Sequence, residues 1–282
     1  MKGVVFVIHL LEHTLLDVFK IIPFLFFAFL IIEYIEHKVK NKSNMLKNKK
    51  VGPFVGSLLG IVPQCGFSVL ATNLFSSKVI TIGTLLAVYL STSDEVLPLL
   101  IAGGVDSKTI LSIIFVKVIV ATIFGYLFDL VFKKRTKKNF SICEEDDCHC
   151  DEGILKSSLI HTLKITLFIF ITTFLLNLLI HELGEDKISS ILLSDNFFGP
   201  FLASLVGLIP NCASSVIISE LYLNGVITSG MLISGFLTGS GLGILVLFKV
   251  NKDKKENLII LISLYLIGSI IGVLVDLFGI II

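Results

Sequence analysis

GIVPQCGFS, residues 60–68, interrupts an apolar run with a proline and, two residues on, a cysteine. GLIPNCASS, residues 207–215, does the same 147 residues later. Proline removes a backbone donor and displaces the carbonyl four residues before it, so each helix is expected to open there. In hydrocarbon, freed backbone groups are tolerated only where they are buried in protein or face a polar cavity. Two breaks of one design in one chain raise the question of what they enclose.

The surrounding composition is that of an integral membrane protein: 282 residues, 54% hydrophobic and 16% charged, with a mean hydropathy of +0.95. A soluble domain of this length needs more polar surface. Runs long enough to cross about 30 Å of hydrocarbon occur near 14–32, 109–132, 159–180 and 257–282. Regions 51–104 and 198–248 are each long enough for more than one crossing. The start carries one Lys2 and no small-residue cleavage site, so no cleaved signal peptide is expected. Nothing resembles a soluble domain, so no nucleic-acid partner is expected; the expected surroundings are a lipid bilayer.

Shifting the sequence by 147 residues aligns it with itself, and 19 of 50 positions match without a gap between 51–100 and 198–247. The matches include Gly52–Phe54 with Gly199–Phe201, Pro63 with Pro210, Cys65 with Cys212, Ser68 with Ser215, and Asp129 with Asp276. The expected organisation is a first transmembrane repeat over 1–132, a linker over 133–157 and a second repeat over 158–282. Lysine and arginine collect in cytoplasmic loops. Loop 37–50 holds six lysines, whereas its counterpart 181–195 holds one lysine and four acids. The linker starts with KKRTKK, residues 133–138, and KVNKDKK at 249–255 holds four lysines against one around 102–108. Equivalent loops therefore fall on opposite sides, and the copies are expected to be inverted.

Inversion requires an odd number of crossings per copy. Segment 51–104 must then supply three short crossings, or one crossing plus a re-entrant hairpin. The expected fold is all-α: two inverted-topology repeats of about five helices or half-helices each, with broken helices at the midplane. An inverted repeat in a bare membrane protein is the pattern of secondary transporters, which hold substrate where broken helices meet. Both termini are expected outside, with the linker in the cytoplasm.

The polar residues beside the breaks form one candidate substrate site: Pro63, Gln64, Cys65 and Ser68 with Pro210, Asn211, Cys212, Ser214 and Ser215. Two thiolates with amide and hydroxyl neighbours suit thiophilic metals or trivalent metalloids. A plain proline kink packed by small residues is the alternative. Gly52, Gly56 and Gly60, with Gly199, Ala203 and Gly207, read as close helix packing. STSDEVLP, residues 91–98, places Asp94 and Glu95 in an apolar region, where the second copy has Gly241 and Leu242. Either these acids couple an ion such as a proton, since intramembrane carboxylates are expensive and functional, or their turn reaches the outer interface. Glu220, aligned with Asn73, is a further ion-coupling candidate.

HLLEHTLLDVFK, residues 9–20, stacks His9, His13 and Asp17, and HLLEH fits a short metalloprotease pattern without its downstream acidic context. A polar stripe facing the bundle or the outer interface is the preferred reading. Lys20, Lys117 and Lys164 fall within spans, where each could snorkel or neutralise an acid. CEEDDCHC, residues 143–150, offers Cys143, Cys148, His149 and Cys150 as metal ligands, without zinc-finger spacing. A solvated acidic loop is the alternative there.

PFLFFAFLIIEYIEH (23–37), the paired Gly-x-x-Pro-x-Cys elements and the Cys/His/acid-rich linker together resemble the predicted ten-helix heavy-metal and arsenic exporters of prokaryotes. Some members of that family are described as manganese transporters. The resemblance covers essentially the whole chain and implies movement of a metal or metalloid across the cytoplasmic membrane. The resulting expectation is a permease working by alternating access, with no enzyme activity, no cofactor and, without a P-loop, no ATP hydrolysis. A manganese or other divalent cation exporter would instead use carboxylates and carbonyls. An ion channel would share the repeat without coupling, and an intramembrane metalloenzyme would centre on HLLEH.

Overall fold

The computed structural model describes residues 51–61, 65–93, 96–132, 154–183 and 198–279, with residues 11, 14, 15, 19, 22, 23, 26, 27 and 30. Among the described residues every regular element is a helix. In chain order these are α1 (Gly52–Leu59), α2 (Cys65–Ser76), α3 (Ile82–Ser91), α4 (Val96–Ala102), α5 (Ser107–Val131) and α6 (Ile154–Leu183). Then follow α7 (Gly199–Gly207), α8 (Cys212–Leu223), α9 (Ser229–Thr238), α10 (Gly243–Val250) and α11 (Lys254–Leu277). The described residues between 11 and 30 are helical as well.

Among the described residues three stretches are long and apolar enough to cross a membrane: α5, α11, and α9 with α10 taken together over Ser229–Val250. Helix α5 exposes Leu111, Phe115, Ile119, Ile123 and Leu127, one residue per turn. Helix α6 repeats this with Leu159, Leu163, Leu167, Ile171 and Leu175, and α11 with Leu258, Ile262, Leu266, Ile270 and Leu274. Such continuous apolar stripes would be costly in water and are at home against lipid tails. The chain is a multi-pass membrane protein.

Helix directions follow from which ends touch. Gly52 at the start of α1 lies against Thr84 near the start of α3, and Gly60 after α1 lies against Ser91 at its end, so α1 and α3 are parallel. Helix α2 returns antiparallel to α3, joined to it by residues 77–81, with Thr72 beside Tyr89. Helix α5 runs back along α3, its Gly125 in backbone contact with Gly83. The second half repeats the arrangement: Gly199 meets Met231, Gly207 meets Thr238, Ile218 meets Gly235, and Gly272 meets Gly230. Helices α1, α3 and α5 thus form one packed trio and α7, α9 and α11 another.

The short helices in 51–104 have eight, 12, ten and seven residues. None spans about 30 Å alone at 1.5 Å per residue. Because α1 and α2 point in opposite directions, they are the two arms of a hairpin. Helix α4 follows α3 and is separated by four residues from α5, which runs back beside α3.

The two halves interlock through the segments that follow the interruptions. Helix α2 packs along α10 of the other half and α8 along α4. Ser68 abuts Gly243, and Ser76 Oγ donates to the Val250 carbonyl at 3.1 Å, so α2 and α10 are parallel. Gly103, just past α4, lies against Leu223 at the end of α8.

Candidate functional site: the level where the helices are interrupted

Among the described residues α3 and α9 are the most buried helices, with every residue of α3 buried and every residue of α9 from Gly230 onward buried. Each begins on a threonine that caps it: Thr81 accepts from the Thr84 N–H and Thr228 from the Met231 N–H. A carboxylate closes each cap. Asp129 on α5 accepts from Thr81 Oγ1 at 2.6 Å and from the Gly83 N–H at 2.9 Å. Asp276 on α11 accepts from Thr228 Oγ1 at 2.8 Å and from the Gly230 N–H at 2.9 Å. Negative charge at a helix N-terminus satisfies orphan N–H groups and complements the dipole. The aligned aspartates are therefore anchors that pin α3 and α9 against the long helices.

The opposite ends of these helices come together. Gly60 after α1 lies against Ser91 at the end of α3, and Gly207 at the end of α7 against Thr238 at the end of α9. Lys117 on α5 ties the two pairs: its Nζ donates to the Thr92 carbonyl, just past α3, and to the Phe236 carbonyl of α9 at 2.9 Å. Four helix C-termini thus meet at one level, and α2, α4, α8 and α10 start from it. Added Cβ atoms at Gly60 and Gly207 would collide with the Ser91 and Thr238 hydroxyls. The small residues let the ends approach this closely.

Cys65 and Cys212 are the first residues of α2 and α8 and so stand where helical pairing resumes. Their side chains lie outside the described structure. In the second half α7 stops at Gly207, residues 208–211 are non-helical, and Ser214 Oγ donates to the Asn211 carbonyl at 2.7 Å. Asn211, Ser214 and Ser215 are buried beside this interruption, and Pro210 is partly buried. Ser68 is fully buried, but it sits one turn into α2 against Gly243 of the other half. Glu220 lies on an exposed face of α8. Pro63, Gln64, Asp94, Glu95, Cys143, Cys148, His149 and Cys150 lie outside the described residues, as do His9, His13 and Asp17.

Two polar contacts here carry no signal in the repeat. Tyr89, fully buried, places its hydroxyl 2.6 Å from Thr72 Oγ1 and donates to the Gly243 carbonyl at 3.0 Å. Its aligned partner is Phe236, which has no hydroxyl. Lys117 is buried within the bundle rather than snorkelling to an interface. A groove of about 690 Å³ opens at the Asp276 end, lined by Gly103, Gly104, Thr109, Tyr222, Thr228 and Asp276 among others. At the Asp129 end, the aligned α2–α10 contact is held by the Ser76–Val250 hydrogen bond.

The fold and its interrupted centre define a helical, multi-pass membrane protein built around paired helix ends. Residues 6–176 match the model of the family described as "Putative, 10TM heavy-metal exporter", and the chain belongs to that family. No curated protein matches the chain. No solved structure matches it either. The family description implies a metal-ion substrate handled within a lipid bilayer.

Proposed function

We propose that the chain is a secondary transporter exporting a heavy-metal or metalloid ion across the cytoplasmic membrane, with transport rather than catalysis as its activity. The observation that carries this reading is the crossed packing of the two halves around one level of helix ends. Helix α2 runs opposite to α3 yet alongside α10, and α10 holds the place in the second half that α4 holds in the first. Helices in equivalent places then point in opposite directions, which is what an inverted repeat requires. Each half contributes a first helix, two hairpin arms, one interrupted traverse and one final long helix. Counting the arms singly gives about five segments per half, in keeping with a ten-segment family description.

In this reading the interruptions lie at mid-membrane. Cys65 and Cys212 hold a thiophilic ion between the halves, helped by Gln64, Asn211, Ser214 and Ser215. Asp94 or Glu95 exchanges a proton, and rocking of one half against the other opens the site to alternate sides. The basic loops 37–50 and 249–255 and the Cys/His-rich linker are cytoplasmic, and both termini are outside. The linker residues Cys143, Cys148, His149 and Cys150 capture metal ahead of export.

Uptake into proteoliposomes of arsenite, cadmium, zinc and manganese, with and without an imposed proton gradient, tests the proposal. Saturable, gradient-driven uptake favouring arsenite or cadmium over manganese is expected. Unsaturable flux indifferent to the gradient would replace the transporter with a channel.

A further inference from the structure

Lys117 is 2% exposed, in the interior of a helix that carries an exposed apolar stripe from Leu111 to Leu127. A lysine near a span end can send its head group to the interface. This one instead directs Nζ inward, to the Thr92 carbonyl of its own half and the Phe236 carbonyl of the other. Its Nζ also lies 5.7 Å from the Phe236 ring centroid, within cation–π range.

The acceptors explain the choice. The last carbonyls of a helix have no intrahelical donor. At the end of α9 the Ser240 N–H turns back to Thr238, and Lys117 donates to the Phe236 carbonyl. At the end of α3 the Thr92 N–H bonds to Val88 and Tyr89, leaving its own carbonyl beyond the helix for Lys117. Helices α3 and α9 each bring the negative end of their dipole to this point, and α1 and α7 end beside them. Carbonyl oxygens and an aromatic face in a low-dielectric interior suit a compact cation. The aligned residue in the second half is Leu264, fully buried, so Lys117 has no counterpart there.

We propose that the ends of α3 and α9 form a cation seat, occupied by the Lys117 ammonium as a resident, tethered ion, with a small monovalent cation as the free ligand it would take. Because Lys117 belongs to the first half and Phe236 to the second, its occupancy ties the halves together. A cation arriving at the seat displaces the ammonium and releases that tie. The seat rests on the contacts alone, while its role in transport rests on the transporter reading above.

Purified Lys117→Ala opens the seat, and its thermal unfolding is compared in methylammonium chloride and in choline chloride at equal ionic strength. The midpoint is expected to fall by at least about 2–4 °C, and methylammonium, but not the larger choline, to restore half or more of the loss. Wild type, its seat already filled by Lys117, gains no stability from either. Equal effects of the two salts on Lys117→Ala would overturn the seat. Lys117→Met keeps length without charge; melting like wild type would also overturn it, and this variant decides if Lys117→Ala does not fold. These readouts need no flux, so failure of the transporter reading leaves them interpretable. In proteoliposomes, folded Lys117→Met should lose at least about tenfold in flux; flux within twofold of wild type would overturn the role in transport.

Discussion

Asp129 accepts the backbone N–H of Gly83 at 2.9 Å, and Asp276 accepts that of Gly230 at the same distance, 147 residues further on. In both cases a threonine two residues before the glycine completes the contact. Each aspartate fastens a short buried helix to a long one. Replacing either by alanine leaves an N–H and a hydroxyl short of an acceptor, at a cost of about 1–2 kcal/mol. Thermal unfolding of Asp129→Ala and Asp276→Ala should show similar losses. A loss in one variant alone would mean that the two anchors are not equivalent.

The Tyr89 hydroxyl joins α2, α3 and α10 through Thr72 and the Gly243 carbonyl. Tyr89→Phe keeps the ring and removes the bridge, and should destabilise by about 1–2 kcal/mol. The measurement is the unfolding midpoint of the purified protein, and an unchanged midpoint would contradict the bridge.

At Gly243 an added Cβ would come within 2.8 Å of both Ser68 Cβ and Tyr89 Cε1. Alanine normally favours a helix over glycine by up to about 1 kcal/mol. Here the overlap should win, making Gly243→Ala destabilising by about 1–3 kcal/mol. Stabilisation would show that α2 and α10 have room to separate at this point.

The proposed proton coupling rests on Asp94 and Glu95, which the second half replaces with Gly241 and Leu242. Asp94→Asn should transport at a rate independent of the proton gradient, and Glu95→Asn serves as its comparison. Gradient-dependent flux that survives in both would remove the acids from coupling.

Much of the architecture is legible in the sequence because it is local or repeated. Apolar length places α5 within two residues of the 109–132 expectation. Helix α11 starts at Lys254, ahead of the expected 257, because Asp253 caps it by accepting the Lys255 and Glu256 N–H groups. The 147-residue shift aligns Asp129 with Asp276 and their partners Thr81 and Gly83 with Thr228 and Gly230, but not the contacts between them, which join residues 46 and 48 apart in the chain. Self-comparison is blind where the copies differ, and that is where Tyr89 and Lys117 make bonds their counterparts Phe236 and Leu264 cannot. The pairing of α2 with α10 is equally hidden, because it depends on how the halves approach in space. Of the candidate site, the burial of Asn211, Ser214 and Ser215 beside an interruption is described, whereas the side chains of Cys65 and Cys212 are not.

The central claim is that both halves lend one thiol to a shared substrate, and flux through single-cysteine replacements tests it most directly. Cys65→Ala and Cys212→Ala, each reconstituted and assayed with arsenite or cadmium, should lose at least about tenfold in flux, as removal of one of two soft ligands demands. Flux equal to wild type in both variants would contradict the claim.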